Sequence, residues 1–114
     1  MKIGILIDSF RVPLREAMRK AAAMQVSGVQ CYAIAEILNG DRAGLRRYAE
    51  ELGLEISALV AELGGYGFQD EKENPGKLER MKQVFDAAVE LGAKVVTGHI
   101  GVLPRDPANP RYGV

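Results

Sequence analysis

Four short apolar runs divide the chain into regularly spaced segments. They cover residues 3–7, 29–34, 56–61 and 94–97, and they lack the polar/apolar alternation of a half-exposed strand. Continuous apolar runs of this length are typical of strands in a parallel sheet that is covered on both faces. The pattern therefore predicts four buried parallel strands.

Between these runs, apolar residues recur at the i, i+3, i+4, i+7 spacing that gathers side chains on one face of a helix. The spacing predicts three amphipathic helices with charged outer faces. The apolar faces comprise Leu14, Ala17, Met18, Ala21 and Ala22; Leu45, Tyr48, Ala49 and Leu52; and Leu78, Met81, Phe85, Ala88 and Leu91. The predicted solvent-facing residues are Arg15, Arg19, Glu50, Lys77 and Lys82.

Glycines mark the predicted ends of the three helices. Gly28, Gly53 and Gly92 each stand between a helical pattern and a strand, where a left-handed cap is favoured. Asn74 and Pro75 form a plausible N-cap and first-turn pair for the third helix. The resulting order, β-α-β-α-β-α-β with right-handed crossovers, predicts an α/β half-barrel of four parallel strands with intervening helices.

The last segment, residues 102–114, is rich in Pro, Asn and Asp and has no apolar period, so it reads as a loop. A complete eight-unit barrel needs roughly 250 residues, whereas this chain has 114. We therefore expect residues 1–114 to form one unit, the N-terminal part of a TIM barrel, with its end a boundary in a longer protein.

Composition and charge exclude several classes of partner. The chain is 47% apolar and 26% charged, as packed globular proteins are, and its 15 Lys and Arg balance its 15 Asp and Glu. Nothing in this balance attracts a phosphate backbone or an anionic membrane, so we expect neither nucleic acid nor membrane as a partner. The opening apolar run is too short for a membrane span and lacks a signal-peptide cleavage pattern.

The single cysteine, Cys31, excludes an internal disulfide and a cysteine-based zinc cluster. Its place within the second strand favours a small core residue over a nucleophile. We accordingly expect a cytoplasmic protein.

Candidate chemistry follows from position, because parallel sheets and barrels place working residues at the carboxyl ends of their strands. The residues at these strand ends are Asp8, Ser9, Phe10 and Arg11 for the first strand, Tyr32 and Glu36 for the second, Glu62 for the third and His99 for the fourth. Asp8, Glu62 and His99 are the charged or ionisable residues that we select among them. Glu62 and His99 could bind a substrate hydroxyl or a divalent cation, but Glu62 could equally pair with an arginine and His99 with loop backbone. Asp8 could instead cap the following helix.

The glycine-rich segment ELGGYGF follows the third strand and matches no phosphate-binding spacing. Its aromatic residues, Tyr66 and Phe68, could form an apolar wall over a sugar ring, or they could pack on the barrel rim. We include both, with Asp8, Glu62 and His99, among the candidate substrate-binding residues.

Four stretches, KIGILIDSF, PLREAMRKAAAMQVSGVQCYAI, LGLEISALVAELGGYGF and AAVELGAKVVTGHIG, resemble the xylose isomerase-like TIM barrel superfamily. This superfamily includes sugar-phosphate isomerases and epimerases, hydroxypyruvate isomerase-like proteins and endonuclease IV-like enzymes. The resemblance covers nearly the whole chain and implies the N-terminal half of such a barrel. It matches His99 to a histidine common at the end of strand four, and Glu62 to an acidic position at the end of strand three.

The resemblance also implies a divalent metal (manganese, zinc, magnesium or cobalt) in the complete barrel, with His99 as a candidate ligand, and a sugar substrate. In this superfamily most metal ligands and the acid/base pair come from strands five to eight. We therefore expect this chain to supply one wall of the site and to be inactive alone. Its exposed sheet surfaces favour a homo-oligomer.

Three hypotheses remain at this point. The first is a metal-dependent sugar or sugar-phosphate isomerase or epimerase, which moves a proton between adjacent carbons. The second is an endonuclease IV-like DNA repair protein, which the balanced charge disfavours. The third is a non-catalytic half-barrel that serves in assembly.

Overall fold

The computed structural model describes residues 2–63, 68–99 and Ala108 of the chain. Its single sheet has four parallel strands in the order β1-β2-β3-β4. Their bounds are Gly4–Leu6 for β1, Gly28–Tyr32 for β2, Glu55–Ala61 for β3 and Val95–Gly98 for β4. The predicted fold class, strand order and strand direction are confirmed.

Helices connect consecutive strands. Their bounds are Leu14–Ala23 for α1, Ala35–Leu38 for α2, Arg42–Glu51 for α3 and Asn74–Leu91 for α4. A 3-10 turn, Ile7–Phe10, follows β1. The sequence did not predict this turn or α2, because four residues are too few to display a helical period.

The core lies between the sheet and the three long helices. Its largest fully buried side chains come from every layer and are Ile7, Met18, Val29, Cys31, Ile37, Leu59 and Val84. Cys31 is therefore the core residue that its strand position predicted.

Two of the three predicted glycine caps are confirmed: Gly53 has φ +74° and Gly92 φ +77°. The prediction for Gly28 was wrong, since Gly28 begins β2 and Gln25 takes the left-handed conformation after α1, at φ +59°. Gly28 is required for a different reason. A Cβ there would lie 2.8 Å from the backbone oxygen of Glu55, so only glycine lets β2 and β3 approach this closely.

The start of α4 differs by one residue from the prediction. Glu73 occupies the N-cap position, and Asn74 is the first helical residue with Pro75 next to it. The Asn74 amide instead donates a hydrogen bond of 3.1 Å to the carbonyl of Phe68. Asn74 thus holds the preceding loop against the helix rather than capping it.

The prediction for the buried face of α4 was partly wrong. Leu78 and Phe85, assigned to the apolar face, are exposed, whereas Val84 and Ala87 are buried. Lys77, assigned to the solvent side, is also buried, and its ammonium lies 2.7 Å from the Glu73 carboxylate. The buried face of α4 is therefore rotated from the predicted one.

None of the helices in the described part of the chain is long and apolar enough to cross a membrane.

Candidate functional site at the carboxyl ends of the strands

Asp8 ties together the ends of the first two strands. It lies in the 3-10 turn after β1, and its carboxylate accepts a 2.8 Å hydrogen bond from the backbone N–H of Tyr32, the last residue of β2. This bond replaces the helix-capping alternative considered for Asp8. A carboxylate that bonds to a strand end fixes the rim at this point and keeps a negative charge there.

That negative charge also acts on Cys31. Burial, and secondly the charge of Asp8, raise the pKa of the Cys31 thiol to about 12. A thiol with this pKa stays protonated at neutral pH, and only the thiolate is a nucleophile or metal ligand. Cys31 is therefore excluded from the chemistry of the rim.

Glu62 and His99 follow neighbouring strands directly. Glu62 comes after the last residue of β3 and His99 after the last residue of β4, and both are exposed. The parallel register pairs Val60 with Thr97 and Ala61 with Gly98, so Glu62 and His99 are the next positions in it. Neighbouring strands are about 4.8 Å apart, a spacing at which one ligand can contact both side chains.

The alternation of side chains shows which face these two residues share. In β3, after the register shift that follows Ile56, Leu59 and Ala61 belong to the core under the helices, whereas Ala58 and Val60 take the alternate positions and lie outside that core. Successive strand residues point to opposite faces, so Glu62 falls in the row of Ala58 and Val60. In β4 the same rule puts His99 in the row of Val95 and Thr97, since Val96 packs on the core.

This face lies opposite the core under the helices and would be the inner wall of a complete barrel. Its β3 part is apolar, with Ala58 and Val60 buried, and its β4 part is open, with Val95 and Thr97 exposed. The two titratable side chains therefore stand at the top of a partly apolar wall, which is the general composition of a small-molecule site.

The remaining candidates, Tyr66 and Phe68, follow β3 in the sequence. Phe68 is half-buried, and its carbonyl accepts the Asn74 hydrogen bond that positions the start of α4. Tyr66 lies outside the described residues. A concave pocket of about 140 Å³ does not include these residues, since it is lined by Arg15, Glu36 and Arg42 together with other residues of the α1, α2 and α3 region.

The described residues do not supply a full metal-ligand set. Within residues 2–63 and 68–99 there is no group of three or more His, Cys, Asp and Glu side chains that could hold a metal ion. Glu62 and His99 provide two candidate ligands, whereas catalytic zinc sites use about three protein ligands. The described residues therefore do not account for a bound divalent metal by themselves.

One polar contact was not visible in the sequence. Arg42 of α3 makes a two-pronged ion pair with Glu90 of α4, with nitrogen–oxygen distances of 2.5 and 3.1 Å, and also donates to the carbonyl of Leu38. The hydrogen bond from Arg42 lowers the pKa of Glu90. The partners are 48 residues apart and no local pattern connects them, so only the fold brings them together. This pair positions the helices behind the sheet and not the rim.

No family model matches the chain, and no curated protein does. Solved structures do match. A 3-keto-D-glucoside 4-epimerase from E. coli aligns with 97% of this chain and 44% of its own, at a TM-score of 0.77 and 22% identity. A xylose isomerase domain protein from Planctomyces limnophilus aligns with 98% of this chain and 43% of its own, at a TM-score of 0.69 and 17% identity.

An AP endonuclease of family 2 from Brucella melitensis is similar as well. It aligns with 92% of this chain and 43% of its own, at a TM-score of 0.71 and 16% identity. The chain thus spans less than half the length of these proteins. The expected fold, four parallel strands with intervening helices that correspond to part of a TIM barrel, is confirmed.

Proposed function

We propose that this chain supplies one wall of the substrate site of a sugar or sugar-phosphate isomerase or epimerase, with Glu62 and His99 facing the substrate. The observation that carries the proposal is their position: Glu62 and His99 directly follow Ala61 and Gly98, the last pair in the β3–β4 register. Alternation along the strands assigns both to the face of the sheet opposite the core under the helices. A carboxylate and an imidazole side by side can accept and donate hydrogen bonds to adjacent sugar hydroxyls, and either can move a proton at neutral pH.

The other candidates have supporting roles in this proposal. Phe68 and Tyr66, which follow β3 in the sequence, would cover one face of the sugar ring, since aromatic rings pack well on apolar sugar faces. Asp8 would hold the rim through its bond to Tyr32 and contribute negative charge to the site. If a divalent metal takes part, Glu62 and His99 are the residues of this chain that would contribute ligands, and the metal would polarise a carbonyl.

The names of the structural neighbours agree with this proposal at the level of the superfamily, because an epimerase and a xylose isomerase domain protein share the fold. The AP endonuclease neighbour keeps the DNA repair hypothesis open. The balanced charge of this chain, 15 basic and 15 acidic residues, argues against it, since DNA binding depends on neutralising phosphates.

Zinc titration followed by NMR tests the pairing of Glu62 with His99. We expect Zn²⁺ to shift the His99 imidazole resonances, and Glu62→Gln to weaken this binding on the order of 10-fold or more, because a direct ligand is lost. Glu55→Gln is the matched control, since Glu55 is an exposed glutamate at the opposite end of the same strand. It should leave the titration unchanged.

Equal weakening by the two variants, or no shift of His99 at all, would contradict a shared site and favour the non-catalytic half-barrel. Binding of an abasic DNA duplex in a gel-shift experiment would favour the repair function instead. Neither result is expected.

A further inference from the structure

The segment that forms α1 is basic, although the net charge of the chain is zero. Residues 11–23 contain four basic residues and one acidic residue, Glu16, which gives this segment a net charge of +3. Arg15 and Arg19 are exposed and lie one turn apart on the same flank of α1. Like charges at this spacing destabilise a helix, so helix formation does not account for the pair.

Arg47 of α3 extends this basic surface. The guanidinium carbon of Arg15 lies 4.8 Å from the centre of the Tyr48 ring, and the Tyr48 hydroxyl donates to the carbonyl of Arg15 at 3.5 Å. Tyr48 therefore lies on the flank of α3 that faces α1. Arg47 is exposed and, at roughly 100° of rotation per residue, lies about 180° from the buried row of α3. Arg15, Arg19 and Arg47, which we call the arginine patch, thus lie on the outer surface of two adjacent helices.

Acidic side chains do not neutralise the arginine patch. Among the described residues, the ion pairs lie in or beside α3 and α4, and none of them involves an arginine of the patch. Glu16 and Glu51 lie three and four positions from Arg19 and Arg47 along their helices, where an ion pair could form, and neither pairs with them. The guanidinium donors of Arg19 and Arg47 therefore face solvent.

We propose that the arginine patch binds an acidic segment of a partner protein, whose carboxylates pair with the three guanidinium groups. The planar fork of arginine matches a carboxylate with two parallel hydrogen bonds, which lysine cannot supply. The contact with Tyr48 already orders the guanidinium of Arg15, so less conformational freedom is lost when a carboxylate binds there.

The surroundings of the patch favour carboxylates over nucleic acid as its ligand. Surfaces that bind nucleic-acid strands combine phosphate contacts with exposed aromatic rings on which bases stack. Here the Tyr48 ring is half-buried and in contact with Arg15, and the net charge of the chain is zero. A short acidic segment needs only local complementary charge, which the patch supplies. The patch lies on the helix side of the sheet, so partner binding does not depend on the proposed substrate site.

Fluorescence anisotropy with a labelled oligoglutamate peptide tests the proposal. We expect binding at low ionic strength that weakens as salt is added, since exposed charges are screened. Arg19→Gln should raise the dissociation constant on the order of 5-fold, because one guanidinium–carboxylate contact is lost, and adding Arg47→Gln should raise it further. Arg80→Gln is the matched control, since Arg80 is an exposed arginine on α4 and the same charge is lost outside the patch. It should change the constant by less than about 2-fold.

Three results would overturn the proposal. Equal weakening by Arg19→Gln and Arg80→Gln would mean that binding follows the net charge of the chain and not the patch. Tighter binding of a single-stranded oligothymidylate of equal charge would assign the patch to nucleic acid. The third is the absence of oligoglutamate binding at low ionic strength. Far-UV circular dichroism shows that the variants remain folded, as expected for substitutions of exposed side chains.

Discussion

A single carboxylate organises the rim between the first two strands. Asp8 accepts the backbone N–H of Tyr32, and its charge contributes to the raised pKa of the adjacent Cys31 thiol. The same side chain therefore fixes the backbone geometry at the rim and keeps a neighbouring thiol unreactive. This hydrogen bond spans 24 residues of sequence, so the position of Asp8 after a strand was predictable but its partner was not.

The Cys31 thiol gives the stability of the protein a specific pH dependence. Its pKa is about 12 in the folded chain against 9.0 for the unperturbed group, so between these values the unfolded chain ionises and the folded chain does not. This contribution is fully present below pH 9 and is lost as the pH rises towards 12. The free energy of unfolding should fall by about 1.4 kcal/mol per pH unit in this window.

Urea unfolding of the chain and of Cys31→Ala checks this expectation. The variant lacks the thiol, so its free energy of unfolding does not include this loss. The difference in free energy of unfolding between the two proteins should therefore change by roughly 1 kcal/mol from pH 8 to pH 10. Other titrating groups cancel in the comparison. Parallel pH profiles would show that burial does not hold the thiol protonated.

At the scale of the elements, the junction of β1, β2 and β3 depends on close backbone packing. Replacing Gly28 by alanine would bring a Cβ to 2.8 Å from the Glu55 oxygen, and a backbone atom cannot move aside as a side chain can. We expect Gly28→Ala to lower the free energy of unfolding by about 1–3 kcal/mol, as overpacking does.

Gly4→Ala is the control for this substitution. Gly4 is the β1 partner of Gly28, and its Cβ would meet the nearest atom, the Gly28 oxygen, at 3.4 Å, an ordinary contact. Urea denaturation should therefore show a smaller loss for Gly4→Ala than for Gly28→Ala. If Gly28→Ala were as stable as the original chain, the glycine would not be required for close approach.

The strands were predictable from the sequence, because each strand of a parallel sheet that is covered on both faces is a continuous run of apolar residues. The buried face of α4 was not predictable, because the helix has apolar residues on two flanks and their spacing does not show which flank faces the sheet. The pattern with Leu78 and Phe85 was chosen, but Val84 and Ala87 face the core. The burial of Lys77 was hidden for the same reason.

The candidate site was predictable only as a set of positions. Strand ends identified Glu62 and His99, but their common face follows from the register of β3 and β4, which a single sequence does not contain. The β2–β3 pairing even shifts by one residue between Val29 and Gln30, and such a shift changes which face each side chain occupies. Only the structure gives the register from which equivalent rows are inferred for the two side chains.

At the scale of the whole molecule, the half-barrel separates two kinds of surface. Glu62 and His99 directly follow the ends of β3 and β4, whereas the exposed large apolar side chains of the described residues lie mostly before β1, after α1, on α4 and at the start of β4. The candidate substrate site and the exposed apolar side chains therefore lie in different parts of the fold.

Our last prediction is that the purified chain has no isomerase activity, with or without added divalent metal. Moving a proton between adjacent carbons needs a base, a second group that stabilises the developing charge, and a fixed substrate. The described residues offer Glu62 and His99 but no group of three metal-binding side chains. Deuterium incorporation into a ketohexose in heavy water, followed by NMR, is the sensitive measurement. Incorporation that depends on metal and disappears in His99→Ala would contradict the prediction, whereas activity that persists in this variant would reveal a contaminating enzyme.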